Sequence, residues 1–223
     1  MPKLLSEKQD WIIGNNTYTL IDEDVKIINN YPITKAGDWK SNYYKPLKDR
    51  VRDHYYTIQN GTCCYCRLPI NKGTESVQIE HIIDKNKRLD FIFEPKNLVV
   101  SCHKCNFNKK TRSVMHICPP NNTYPRNSTD FKIIHGHYDS YFENIEFKQG
   151  SIYHAITDEG EFTIKACGLD RIGLAEQREK ITMYEDDDII SMVIEIRNSE
   201  NSNDKIDELI NKLKASKNDK HKL

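Results

Sequence analysis

Between Tyr44 and Ile58 apolar residues recur at steps of three and four, with Leu47, Val51 and Tyr55 on the same stripe. That period predicts an amphipathic helix over 43–60, stopped at Asn60-Gly61. The pattern then changes. Val77-Gln78-Ile79 alternates into Glu80-His81, and Asn97-Leu98-Val99-Val100-Ser101 forms a second apolar run, so the two predict a hairpin whose loop is 82–96. Asn106 to Thr111 can open a helix ahead of the break at Pro119-Pro120.

The flanking segments are less regular. Residues 1–42 are polar and interrupted by Asn15-Asn16, Asn29-Asn30, Pro32 and Gly37, with Trp11 and Trp39 as anchors on the body. Residues 118–132 are turn-rich and read as an excursion. Phe162-Thr163-Ile164 predicts a strand. Asp170 to Tyr184 predicts a helix with Asp170 as N-cap and Ile172, Ala175 and Ile181 inward. Two closing helices are expected on Ile189, Val193 and Ile196, then on Ile206, Leu209, Ile210 and Leu213, before a frayed end. The organisation is an N-terminal extension over 1–42, a core over 43–117 and a mixed, mainly helical part over 118–223.

Composition narrows the class. The chain has 223 residues, 37% hydrophobic and 30% charged, enough for a modest core in one domain with decorations. No run approaches the roughly 20 apolar residues that span a bilayer, and MPKLLSEKQD lacks the apolar stretch of a secretory leader, so a cytoplasmic protein away from membranes is expected. Net charge is zero, which removes the whole-molecule argument for nucleic-acid binding. The distribution restores part of it. From His81 to Arg112 there are eight basic residues against three acidic ones, while Glu185-Asp186-Asp187-Asp188 compensates elsewhere. A basic face suits an anionic substrate.

Four of the seven cysteines stand in two Cys-x-x-Cys pairs, Cys63–Cys66 and Cys102–Cys105. This spacing lets two sulfurs bind one ion from a tight turn, so the four predict a closed, structural zinc site. Cys64, Cys118 and Cys167 fall outside that pattern. His135 and His137 alternate as on a strand without a partner motif, which favours a structural role. The zinc does not require Glu80, His81 or Asn97, which lie between the pairs and point to chemistry.

Gly61-x-Cys63-x-Tyr65-Cys66, then Ile79-Glu80-His81, then Asn97-Leu98-x-x-x-Cys102-x-x-Cys105-Asn106-x-x-Lys109 resembles the HNH endonuclease family, in the branch whose ββα-metal motif is held by a four-cysteine zinc. The match covers about a fifth of the chain and rests on order, residue type and spacing together. Residues 43–66 and the Phe162-to-Arg178 segment are similar to small HNH subunits of phage-defence systems, including the Septu type that works beside an ATPase. The resemblance implies an α+β fold, with a ββα-metal core stapled by zinc and surrounded by helices, and a metal-dependent nuclease acting on DNA.

Within that resemblance, His81 is the general base for an attacking water, since an imidazole titrates near neutrality. Glu80 and Asn106 are the oxygen ligands of a catalytic Mg²⁺ or Mn²⁺, with Asn108 as the alternative to Asn106. Asn97 holds the loop that aims His81 rather than touching substrate. Lys109 and Lys110 are the candidate phosphate contacts, and His103 faces solvent or substrate. A neutral chain grips DNA weakly, so a partner protein, such as an ATPase subunit, or a dimer is expected, in phage defence or restriction. The competing class is a zinc-stabilised nucleic-acid-binding or interaction module without catalysis.

Overall fold

The computed structural model describes residues 10–72, 77–119, 122–148 and 150–181. The two closing helices expected beyond Tyr184 lie outside these residues. Helix α1 spans Asp22–Asn30 and α2 spans Lys45–Ile58. Strands β1 (Val77–His81) and β2 (Leu98–Cys102) are followed directly by α3 (His103–Lys109). A second hairpin, β3 (Ile145–Lys148) and β4 (Ile152–Ala155), leads into α4 (Asp158–Cys167). The protein is α+β, with two separate two-stranded antiparallel sheets among the described residues. None of the described helices is long and apolar enough to cross a membrane.

Helix α2 forms where its period demands it. Pro46 sits in the first turn, Leu47, Val51 and Tyr55 are buried, and Asn60 and Gly61 end the helix at positive φ. Past its end, the buried Gln59 amide donates to the Thr62 and Val100 carbonyls and accepts from Val100 N. That side chain ties the helix to β2.

The first hairpin pairs Val77 with Cys102 and His81 with Leu98. Its register puts Cys102 at one end and Glu80-His81 at the other. Helix α3 starts three residues earlier than its apolar pattern suggests. The reason is an unusual cap: Cys102 Sγ accepts from Cys105 N at 3.4 Å, where a sequence search looks for Ser, Thr, Asp or Asn.

Phe162-Thr163-Ile164 is helical, not extended, because it lies inside α4. Thr157 caps this helix by accepting from Gly160 N at 3.1 Å, three acidic residues complement the first turn, and Gly168 closes it in the left-handed region. Gly160 has no substitute, since a Cβ there would lie 2.0 Å from the Asn144 carbonyl oxygen. The chain is helical again over 172–181. Its inward side is Leu174 and Arg178; Ile172, expected inward, is 79% exposed.

One buried cluster runs from Trp11 to Leu174 and includes Trp39. The N-terminal segment joins it through Ile13 N bonded to the Gly136 carbonyl and Trp11 Nε1 bonded to Thr62 Oγ1. Arg67, fully buried, lies 3.4 Å from the Trp11 ring centroid and 4.5 Å from that of Tyr141, and pairs with Asp10 at 3.3 Å.

Candidate metal centre and the polar site beside it

The first Cys-x-x-Cys turn is built by the backbone. Cys63 N bonds the Leu68 carbonyl, Arg67 N bonds the Cys63 carbonyl with Arg67 at positive φ, and Cys64 N reaches the Val100 carbonyl on β2. The second pair spans the junction of β2 and α3. The Sγ atoms of Cys63, Cys66, Cys102 and Cys105 consequently all lie within 4.8 Å of one another. Tetrahedral Zn–S bonds of about 2.3 Å require sulfurs about 3.8 Å apart, so this set can hold zinc. Burial resists ionisation of the Cys63 thiol, yet the Cys102 and Cys105 sulfurs outweigh it and hold it well below its usual range. Cys66 and Cys105 are pushed up, in each case first by Cys102. Cys63 ionises readily while Cys66 and Cys105 resist, until a cation takes all four sulfurs.

A zinc with four thiolates carries two net negative charges, which are costly to bury uncompensated. Arg171 Nη2 approaches Cys105 Sγ at 3.7 Å, while Arg178 Nη2 and Tyr153 Oη donate to the Cys66 carbonyl at 3.0 and 2.6 Å. The segment after α4 thus supplies cations to the cluster.

Glu80 and His81 end β1 and are each 3% exposed. Glu80 Oε1 accepts from Tyr65 Oη at 3.1 Å and pairs with Lys109 Nζ. Burial raises the Glu80 carboxyl above its ordinary value, against the pull of Lys109 and Tyr65. His81 Nε2 lies 3.1 Å from the Ile92 carbonyl, and the Trp39 ring meets the imidazole edge-on at 4.8 Å. A carbonyl only accepts, so Nε2 carries the proton and Nδ1 is left as the basic nitrogen. Burial first, and then the charge of Lys85, push the His81 pKa down to about 3. The imidazole is neutral across physiological pH.

Asn97 is fully buried and fully used. Its Nδ2 donates to the Ile83 and Phe91 carbonyls, each at 3.0 Å, and its Oδ1 accepts from Ile83 N at 2.7 Å and Tyr124 Oη at 3.2 Å. It clamps the 82–96 loop whose Ile92 carbonyl orients His81. Behind it stands His135. Its Nδ1 accepts from His137 N at 3.2 Å, so its Nε2 carries the proton toward Tyr124 Oη at 2.9 Å. His135 and His137 serve the structure: His137 Nε2 bonds the Leu98 carbonyl at 2.9 Å.

On α3, Asn106 Nδ2 donates to Gln78 Oε1 at 2.8 Å, which leaves its carbonyl oxygen as a ligand atom. Gln78 Nε2 also lies 3.0 Å from Nδ1 of the exposed His103. Asn108 is drawn to α4 instead, donating to the Cys167 carbonyl at 3.1 Å. Lys109 differs most from its expected position. It is 1% exposed, and besides Glu80 its ammonium donates to the His81 carbonyl at 3.0 Å, so it braces the β1 end rather than facing solvent. Lys110 is exposed. Sequence reasoning missed Tyr124, Gln78, Arg171 and Arg178. No local motif marks them, and Tyr124 sits in a stretch whose composition says only that it turns.

The chain is an α+β protein with a four-cysteine cluster able to hold zinc. No family model matches it, and no solved structure does. Over 97 residues, 44% of the chain, it is 24% identical to the Septu protein PtuB of Bacillus thuringiensis. The aligned stretch spans 35% of that relative's length.

Proposed function

We propose that the chain is a metal-dependent HNH-type endonuclease that hydrolyses DNA phosphodiester bonds, working in phage defence with a partner protein. The observation that carries this reading is the β1–β2–α3 unit beside the four-cysteine cluster. Glu80 and His81 end its first strand, Asn97 clamps its loop, and Asn106 stands on its helix. The likeness to a Septu protein supports the defence context, and the neutral net charge supports a need for a partner, an ATPase subunit or a second copy, to hold DNA.

In this reading the neutral His81 Nδ1 takes the proton of the attacking water while the Ile92 carbonyl holds the ring by Nε2, and a bound phosphate's negative charge would raise the imidazole pKa that burial and Lys85 hold low. Glu80 and Asn106 offer only oxygen ligands, a carboxylate and an amide, which fits Mg²⁺ or Mn²⁺ retaining most of its waters. That ion would neutralise the phosphate and stabilise the leaving oxyanion. Lys109 holds Glu80 and the β1 end in place.

A second reading, a zinc-stabilised binding module without catalysis, draws support from the burial of Glu80 and His81 and from the Glu80–Lys109 pair. Supercoiled plasmid incubated with Mg²⁺ or Mn²⁺ separates the two. The nuclease reading expects nicked or linear product with the wild type and ~10²–10⁴-fold less with His81→Ala, whose zinc content and far-ultraviolet circular dichroism stay those of the wild type although loss of the buried ring lowers its melt. Glu80→Ala should impair the metal response more than Asn106→Ala. Equal cleavage by wild type and His81→Ala, or full activity after brief EDTA treatment that spares the zinc, would exclude this chemistry.

A further inference from the structure

Helix α3 carries an exposed stripe that the proposed chemistry does not use. Phe107 is 59% exposed although it sits in the middle of the helix, one residue from Asn106. His103, one turn earlier, stacks beside it at 6.0 Å with a 29° interplanar angle, and the Lys110 ammonium lies 4.8 Å over the ring. Open clefts flank the helix: one of about 490 Å³ lined in part by Lys110, Arg112 and Lys165, the other of about 330 Å³ lined in part by Lys104 and Phe107. Lys165 is paired with Glu161. Lys104, Lys110 and Arg112 have no carboxylate within ion-pair distance among the described residues. An exposed aromatic ring among uncompensated cations complements one chemistry well, a base with its π-face free and phosphates on either side.

We infer that this stripe docks a single polynucleotide strand, one base stacking on Phe107 while Lys104, Lys110 and Arg112 hold the flanking phosphates. A paired base inside a duplex has no free face for Phe107, so the occupant is a single strand or a splayed end. The incoming base takes the place of the Lys110 ammonium over the ring and releases it to a phosphate. His103, stacked beside Phe107, lies 3.0 Å from the Gln78 amide that Asn106 also bonds, so a strand on this stripe passes the candidate ligand of the catalytic metal. This inference rests on a nucleic-acid substrate, yet it needs no catalysis: strand binding that depends on Phe107 stands even if plasmid cleavage is never seen.

The test is fluorescence anisotropy of labelled twelve-nucleotide strands, DNA and RNA of one sequence, with the full chain and no added divalent metal. A blunt duplex of that sequence is run beside them. Phe107→Ala should weaken single-strand binding roughly five- to hundredfold, the usual effect of removing one stacking platform. Phe107→Trp should retain it, and Phe107→Leu should behave like the alanine variant, which separates stacking from mere apolarity. Replacing Lys104, Lys110 and Arg112 together by Gln should flatten the plot of log affinity against log salt by about 2, for three phosphates on a single strand. The ring is exposed, so thermal melt and zinc content should not change. The proposal is overturned by no strand binding, by strand binding indifferent to Phe107, or by a duplex that binds equally tightly with the same Phe107 dependence. It is also overturned if the Phe107 face captures a second copy of the chain instead of a strand. Preference for the DNA or the RNA arm supports it and identifies the sugar.

Discussion

Mild acid should destabilise this protein, and beside the buried His81 two histidines remote from the proposed chemistry carry part of the effect. His135 and His137 are buried, and burial drives both below the ordinary histidine value, His137 to about 4 and His135 well below. The groups facing them explain the direction. His137 sees the Leu98 carbonyl, which favours its charged form, but also Lys96 and His54, which oppose it; His135 sees His137 and Lys96. Protonating His135 would also aim an Nδ1–H at the His137 backbone N–H that it now accepts. Between about pH 6.5 and the native values the unfolded chain binds protons that the folded chain refuses. Stability is therefore full above about pH 6.5 and falls as pH drops. At pH 5, about 1.5 units below the unfolded histidine value and above the native value of His137, that residue removes about 2 kcal/mol, and His135 acts in the same direction. Against a typical 5–15 kcal/mol, and at about 2–4 °C per kcal/mol, the His137 share lowers Tm by roughly 4–8 °C. The assay is thermal melting by circular dichroism at pH 7.5 and 5, in the wild type and in His137→Gln, whose amide can still donate to the Leu98 carbonyl. Thiolate protonation at the cysteines contributes equally to both proteins and cancels in the difference. The variant should lose the His137 share of the acid response. An identical pH response in both proteins would refute the reasoning.

Lys109→Met leaves the Glu80 carboxylate buried without its cation, so a loss of about 3–5 kcal/mol is expected in urea unfolding, whereas Lys110→Met at the exposed neighbouring position should cost under about 0.5 kcal/mol. Similar losses for the two variants would show that the Glu80–Lys109 pair does not brace the end of β1. Cys102→Ser removes both a sulfur of the cluster and the cap of α3; metal analysis of the purified protein should fall from about one zinc per chain to none, with reduced solubility. Wild-type protein purified without chelator and free of zinc would exclude the cluster as a zinc site.

Local pattern determined a large share of this molecule. The α2 stripe was legible because every third or fourth side chain meets the same core, and the hairpin because its apolar runs fit paired strands. The four cysteines were legible because Cys-x-x-Cys closes a metal ring within one turn, whatever the rest of the chain does. Asn97 stood out by its place ahead of Cys102 in the resemblance, but its burial and its bonds to Ile83, Phe91 and Tyr124 exist only in the packed chain. Where local preference met a non-local partner, tertiary structure prevailed. Phe162-Thr163-Ile164 has strand-forming residues, yet the Thr157 cap and the packing of Gly160 against Asn144 place it in a helix. Lys109 carries a charge that belongs on the surface, yet Glu80, twenty-nine positions earlier in the chain, draws it inside. Tyr124 reaches Asn97, with His135 behind it, only because the excursion over 118–132 folds back against the loop, and Arg171 and Arg178 reach the cysteines only after α4 has docked on α3. A hydrogen bond or ion pair across such distances leaves no period in the sequence; it exists only once the chain is packed.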